Sequence, residues 1–171
     1  MRLLASFLLF LAFAGAEDPP RPEQGKEGED KKKPVAVAVI VHPKNPVTKI
    51  TFSELRTYLK MDRQFWPNRK RCIIYLPPRK TVENEILLKK VYRMSHKKLQ
   101  QYWVRKLFSG EIPAKPTYVP SAKAAISRVL LEEGAISVIP LDKVTKQVRV
   151  LLIDDKKPGE EGYPLVLATE P

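Results

Sequence analysis

Seven consecutive apolar residues, Val35–Val41, constrain the fold of this chain more than any other stretch. The run is far too short to cross a bilayer, and it lacks the alternation of a half-exposed strand, so it predicts a β-strand buried on both faces. Pro43 and Pro46 end the strand because proline has no N–H to donate to a sheet. Thr51 and Glu54 then predict a capping box at the start of a helix. This order of elements is typical of an α/β fold.

The first sixteen residues are predicted to be a secretory signal peptide. Arg2 forms a short basic region, residues 3–13 form an apolar core, and Ala14-Gly15-Ala16 has the small-x-small pattern of a cleavage site. An uncleaved membrane anchor is the alternative, and the shortness of the apolar core argues against it. We therefore expect cleavage near Ala16 and a periplasmic or secreted protein.

Residues 17–33 are predicted to be a disordered, charged linker. They include eleven charged residues and no large apolar one. Such a composition cannot bury enough apolar surface to offset the entropy lost on ordering. The remaining residues, 34–171, have the size of one domain.

The predicted domain carries a strong positive charge. Of the 31 Lys and Arg residues, 25 lie beyond residue 33, and of the 19 Asp and Glu residues, 13 lie there, which leaves a net charge of +12. A positive field favours anionic partners, among them small oxyanions and anionic lipids. Because an exported chain rarely meets nucleic acid, we predict no nucleic-acid partner, and contact with a membrane surface stays open.

Strand-like and helix-like segments alternate along the domain. The predicted strands after the first are residues 72–76, 117–119, 135–139, 147–153 and 163–168. The predicted helices are residues 52–61, 82–93, 96–109 and one that begins after Ser121. Ser95 and Ser121 are predicted to cap the last two helices. This alternation predicts an α/β fold, a three-layer sandwich with a mostly parallel central sheet. Gly110 and Gly134 are each predicted to be the left-handed residue that ends a helix.

Two side chains that could suggest function are predicted to belong to the core. Trp66 lies in a short aromatic loop, and we predict that its side chain packs over the hydrophobic core and does not bind a ligand. Cys72 is the only cysteine and lies in a strand-like run, so we predict a buried thiol. An intermolecular disulfide is the alternative for Cys72.

The sequence lacks the patterns that catalysis would need. His42, His96 and the single cysteine are too few for a Cys/His zinc site. No GxSxG, phosphate-binding P-loop or HExxH motif is present. We therefore predict that the protein is not an enzyme and uses neither a cofactor nor a metal.

Three segments together carry a family resemblance. They are a valine strand with an Asn-Pro loop and capped helix at residues 39–55, a Trp-Pro-Asn loop at residues 66–68, and a Gly-Ala-Ile strand at residues 134–138. In this order they resemble phosphate ABC transporter substrate-binding proteins. The resemblance implies one lobe of a type 2 periplasmic-binding-protein fold, in a short single-lobe member. It also implies an exported, non-catalytic binding protein whose ligand is phosphate or another small oxyanion.

The resemblance further places the anion loop at Arg79, Lys80 and Thr81. Thr81 keeps the hydroxyl of the family's loop, and Lys80 stands where the family has glycine. A helix N-terminus at this point would offer free N–H groups and positive potential to a weakly held anion. The alternative is that Thr81 only caps the helix and the two cations are solvated.

A different function is compatible with the same lobe. The lobe could be a ligand-free protein-interaction module that binds another protein or a second copy of itself through a sheet edge or an apolar groove. A homodimer would restore a two-lobed cleft. Attachment of the basic surface to anionic lipid is a third interpretation.

Overall fold

The structure is a computed structural model that describes residues 35–167. The predicted signal peptide and linker lie outside these residues. Strand β1 spans Val35–Val41 as predicted. Val37, Val39 and Val41 lie in one hydrophobic cluster, whereas Ala38 and Ile40 lie in a second. The first strand is therefore buried on both faces, which confirms the interpretation of the uninterrupted apolar run.

The other strands are β2 (Lys49–Ile50), β3 (Ile73–Leu76), β4 (Thr117–Tyr118), β5 (Ala135–Pro140), β6 (Arg149–Val150), β7 (Leu152–Ile153) and β8 (Val166–Leu167). The central sheet has the order β4-β3-β5-β1-β6, with β8 also pairing with β1. β3 pairs in parallel with β4 and β5. β1 pairs antiparallel with β5, β6 and β8. The predicted α/β class is confirmed, and the sheet is mixed rather than mostly parallel.

The helices are α1 (Phe52–Leu59), α2 (Val82–Ile86), α3 (His96–Phe108) and α4 (Ala122–Leu131). A π-helical segment, Leu87–Tyr92, continues α2, and a 3-10 turn, Leu141–Lys143, follows β5. Each α-helix begins at a hydroxyl cap, and the capping box of α1 is complete, as predicted. Hydroxyl caps satisfy first-turn N–H groups that otherwise lack partners.

Helices cover both faces of the sheet. Leu55 of α1, Val91 of the π-helical segment and Trp103 of α3 belong to the first hydrophobic cluster. Ala125 and Val129 of α4 belong to the second. Because alternate residues of β1 enter the two clusters, α4 and α3 lie on opposite faces, and the three-layer prediction is confirmed. No helix within residues 35–167 is long and apolar enough to cross a membrane.

Several local predictions have different outcomes. Gly110 is left-handed at the end of α3, with φ of 72°, as predicted. Gly134 is not left-handed, so that prediction is wrong. The predicted strand at residues 147–153 is divided, because β6 joins the central sheet and β7 pairs with β2 in a separate small sheet. Cys72 is buried as predicted, and burial raises the pKa of its thiol to about 12.

Candidate functional site

A cleft of about 420 Å³ opens where three parallel strands end. β3, β4 and β5 run in the same direction, so their carboxyl ends meet at one edge of the sheet. Pro77, Val119 and Pro140, which lie at or directly after these ends, line the cleft. Ligands of open α/β sheets bind in crevices outside the carboxyl ends of strands. The cleft is therefore the candidate site.

Thr81 lies on the wall of this cleft as the N-cap of α2. Its Oγ1 accepts a hydrogen bond from the Asn84 backbone N–H at 3.4 Å and donates one to the Pro78 carbonyl at 2.9 Å. Because the hydroxyl is engaged with the backbone and accepts from the Asn84 N–H, the N–H groups of Val82 and Glu83 are the first-turn donors left for a ligand.

The other two residues of the predicted anion loop lie elsewhere. The Arg79 guanidinium carbon is 5.0 Å from the centroid of the Tyr118 ring. Burial raises the pKa of the Tyr118 hydroxyl, and the charge of Arg79 acts in the opposite direction. Lys80 is exposed. Neither cation lines the cleft, so the structure brings only Thr81 of the three residues to it.

Ser121 is a cleft residue that the sequence predicted only as a helix cap. Its Oγ accepts a hydrogen bond from the Ala124 backbone N–H at 3.2 Å at the start of α4. Thr81 and Ser121 line the same cleft, so two helix N-termini meet at one place. The serine was visible in the sequence as a cap. Its proximity to Thr81 depends on the parallel pairing of β3 with β4, which no local pattern shows.

Charged side chains of both signs surround the cleft. Lys123 and Lys143 line it, and Lys143 is paired with Asp142 at 2.9 Å, whereas Lys123 has no ion pair among residues 35–167. Glu83 also lines the cleft, and its Oε2 is buried without a hydrogen-bond partner in this part of the chain. A buried carboxylate oxygen without a partner favours a ligand that can donate a hydrogen bond.

Comparison with solved structures identifies the architecture. The chain is similar to an ABC-type phosphate transport receptor from Vibrio cholerae, with a TM-score of 0.63, 15% identity and coverage of 78% of this chain and 54% of that one. The lobe has the fold of phosphate ABC transporter substrate-binding proteins. It is also similar to PstS from Borrelia burgdorferi, with a TM-score of 0.62, 16% identity and coverage of 78% and 55%.

A third similar structure holds a ligand. It is a phosphate ABC transporter substrate-binding protein from Clostridium perfringens with bound phosphate, at a TM-score of 0.59, 15% identity and coverage of 73% and 47%. The present chain thus spans about half the length of these proteins. No protein-family model matches the chain, and no curated sequence matches it significantly. The resemblance seen in the sequence is confirmed at the level of the fold.

Proposed function

We propose that this protein is an exported, non-catalytic, single-lobe binding protein for a small oxyanion, with phosphate as the ligand. One observation carries the proposal: the hydroxyl-capped N-termini of α2 and α4 line a single cleft at the carboxyl ends of parallel strands. Helix N-termini attract anions through their free N–H groups and the helix dipole. We also propose that the protein delivers this ligand to an ABC transporter in the periplasm. The fold that it shares with transport receptors supports this role.

The side chains of the cleft favour an oxyanion that still carries a proton. The ammonium of Lys123 and the first-turn N–H groups of both helices would neutralise the charged oxygens. The unpartnered Oε2 of Glu83 would accept the remaining proton of a phosphate. Sulfate has no such proton at neutral pH, so it would place a charged oxygen against a carboxylate. Phosphate should therefore bind more tightly than sulfate.

The affinity of residues 17–171 should be weak because this range offers only one lobe to enclose a ligand. Most ligand sites bury the greater part of their ligand. Here the anion would remain open to water on one side, which screens its interactions with the protein. We expect a dissociation constant no tighter than about millimolar.

Calorimetric titration of residues 17–171 with phosphate tests the proposal. This range retains all the residues that the structure describes, 35–167. Replacing Ser121 with alanine should weaken phosphate binding by about tenfold, because the α4 N-terminus loses its fixed geometry and a hydroxyl beside the anion. Thr81→Ala should have a similar effect.

Ser95→Ala is the matched control for both variants. Ser95 caps α3 in the same way, with its Oγ 3.3 Å from the Lys98 backbone nitrogen, and it does not line the cleft. Its loss should lower stability by about 1 kcal/mol, as for any cap, and leave the titration unchanged. Equal weakening by all three substitutions, or no heat with phosphate for the unmodified protein, would contradict an oxyanion site at the cleft.

A second candidate function is protein binding by the same lobe. The observation in its favour is the apolar wall of the cleft, which includes Pro77, Val119 and Ile139. Apolar surface of this kind suits a protein partner, and a second copy of the chain would supply a second lobe. Under this function, light scattering during size exclusion should give twice the mass of one chain. A monomer at all concentrations would exclude pairing between copies and leave only a different protein as partner.

A further inference from the structure

We infer that a second surface of the lobe, distinct from the cleft, docks on an anionic lipid bilayer. This arginine–phenylalanine surface consists of Arg63, Phe65, Arg71, Arg105 and Phe108. It combines loop 62–71 with the carboxyl end of α3, and none of its residues lines the cleft.

Two phenylalanines give the surface its apolar part. Phe108, the last residue of α3, is 86% exposed, and Phe65 is 48% exposed. Val104, one turn before Phe108 on α3, is also exposed. A bilayer would remove these side chains from water, since aromatic groups insert at the boundary between headgroups and acyl chains.

Hydrogen bonds hold the loop and the helix end together. The Gln64 side-chain nitrogen donates to the Glu111 carbonyl at 2.7 Å. The Lys106 ammonium is 2.5 Å from the Asp62 carboxylate, and it also donates to the Lys60 carbonyl at 3.2 Å. The two parts of the surface are thus neighbours in a fixed arrangement, so both can meet one bilayer without reordering.

Three acidic groups at this end of the lobe are already paired with lysines. Asp62 and Glu111 lie 2.5 and 3.7 Å from the Lys106 ammonium, and Glu133 lies 3.2 Å from the Lys70 ammonium. These carboxylates therefore do little to neutralise the neighbouring arginines.

The arginines, in contrast, form no salt bridge within residues 35–167, although Arg63 interacts electrostatically with the Glu54 carboxylate. The guanidinium carbons of Arg63, Arg71 and Arg105 instead lie 5.1, 5.0 and 5.8 Å from the ring centroids of Tyr58, Phe65 and Tyr102. All three arginines are exposed. A guanidinium stacked on a ring keeps most of its N–H groups available to phosphate. Of the three arginines, Arg71 also donates a hydrogen bond from Nη1 to the Gln64 side-chain oxygen at 3.3 Å. The surface therefore offers phosphate-binding cations directly beside exposed phenylalanines.

This combination favours lipid over nucleic acid or an acidic protein. Arginines alone would suit any polyanion, but an apolar side chain that projects into water as far as Phe108 does gains from hydrocarbon and not from a phosphate backbone. Attraction to an anionic leaflet adds about fivefold in affinity for each cation near the surface and falls with salt.

Co-sedimentation with vesicles tests the inference. Residues 17–171 are used, because the apolar stretch at residues 3–13 would itself bind a bilayer. We expect binding to vesicles of equal parts phosphatidylglycerol and phosphatidylcholine at low salt, and little binding to pure phosphatidylcholine. Phe108→Ala should weaken binding by about tenfold. Leu131→Ala, which removes a side chain that is 75% exposed on α4 across the sheet, should leave it unchanged.

Two double variants that remove the same charge distinguish contact between this surface and the bilayer from the general attraction of a basic domain to anionic lipid. Arg71→Gln with Arg105→Gln should weaken vesicle binding by at least about tenfold. Arg128→Gln with Lys146→Gln removes the same charge from α4 and the loop beside it, and should have a much smaller effect. Equal losses for the two pairs, unchanged binding of Phe108→Ala, or binding to duplex DNA without binding to vesicles would each overturn the inference.

Discussion

Gly134→Ala should lower the free energy of unfolding by roughly 3 kcal/mol or more. A Cβ atom built on Gly134 would lie 1.9 Å from the backbone carbonyl oxygen of Arg71. The obstacle is main chain rather than the end of a flexible side chain, so relief requires that two segments of backbone separate. The Gly134 carbonyl also accepts hydrogen bonds from Ile73 N–H at 3.0 Å and from the Trp66 indole at 2.8 Å. Any separation therefore strains both of these bonds.

Urea denaturation of residues 17–171, monitored by circular dichroism, measures this change in the free energy of unfolding. Gly110→Ala is the control, because a Cβ on Gly110 would meet nothing within 4 Å and only its positive φ of 72° opposes alanine. That substitution should lower the free energy of unfolding by about 1 kcal/mol. If the two variants unfolded at the same urea concentration, the close approach of the Arg71 carbonyl would not be what excludes a side chain at position 134.

The different roles of the two glycines show where local sequence reasoning succeeds and fails. Gly110 follows a helix and takes the left-handed conformation that its position predicts. Gly134 also follows a helix, and the same rule gave the wrong conformation. Glycine is required at position 134 because the backbone carbonyl of Arg71, 63 positions away in the sequence, leaves no space for a Cβ atom. A contact between distant segments leaves no periodic or capping pattern near either residue.

The same distinction holds for the sheet and for the site. The burial of β1 and the caps of all four α-helices depend on residues within a few positions of each other, and both were predictable. The antiparallel pairing of β1 with β5 joins residues about a hundred positions apart. The meeting of Thr81 and Ser121 depends on similar long-range pairing, so the sequence could predict each cap and not their shared cleft.

The segments that resemble the transport-protein family contact each other in the structure. Trp66 lies in the Trp-Pro-Asn loop, and Gly134 begins the Gly-Ala-Ile strand. The indole N–H of Trp66 donates a hydrogen bond to the backbone carbonyl of Gly134. Because this contact lies in the core and away from the cleft, these two motifs carry information about the fold. The phosphate titration tests the ligand site independently of these two motifs.

Trp66→Ala should lower the free energy of unfolding by about 3–5 kcal/mol. Trp66 is only 2% exposed, its ring is stacked on Tyr58 at a centroid distance of 4.3 Å, and its indole N–H bonds to Gly134. Truncation to alanine would leave a large cavity beneath the loop and remove both interactions. The same urea titration, monitored by circular dichroism, measures the loss in the free energy of unfolding.

Trp66→Phe separates packing from hydrogen bonding at this position. Phenylalanine keeps most of the apolar contact and the stacking on Tyr58, and the Gly134 carbonyl keeps its bond from Ile73 N–H. We therefore expect a loss of only about 1–2 kcal/mol. Phosphate binding should not change, because a side chain so deeply buried cannot reach a ligand. If Trp66→Phe were as destabilising as Trp66→Ala, the single indole hydrogen bond rather than the packing of the ring would be what joins the loop to β5.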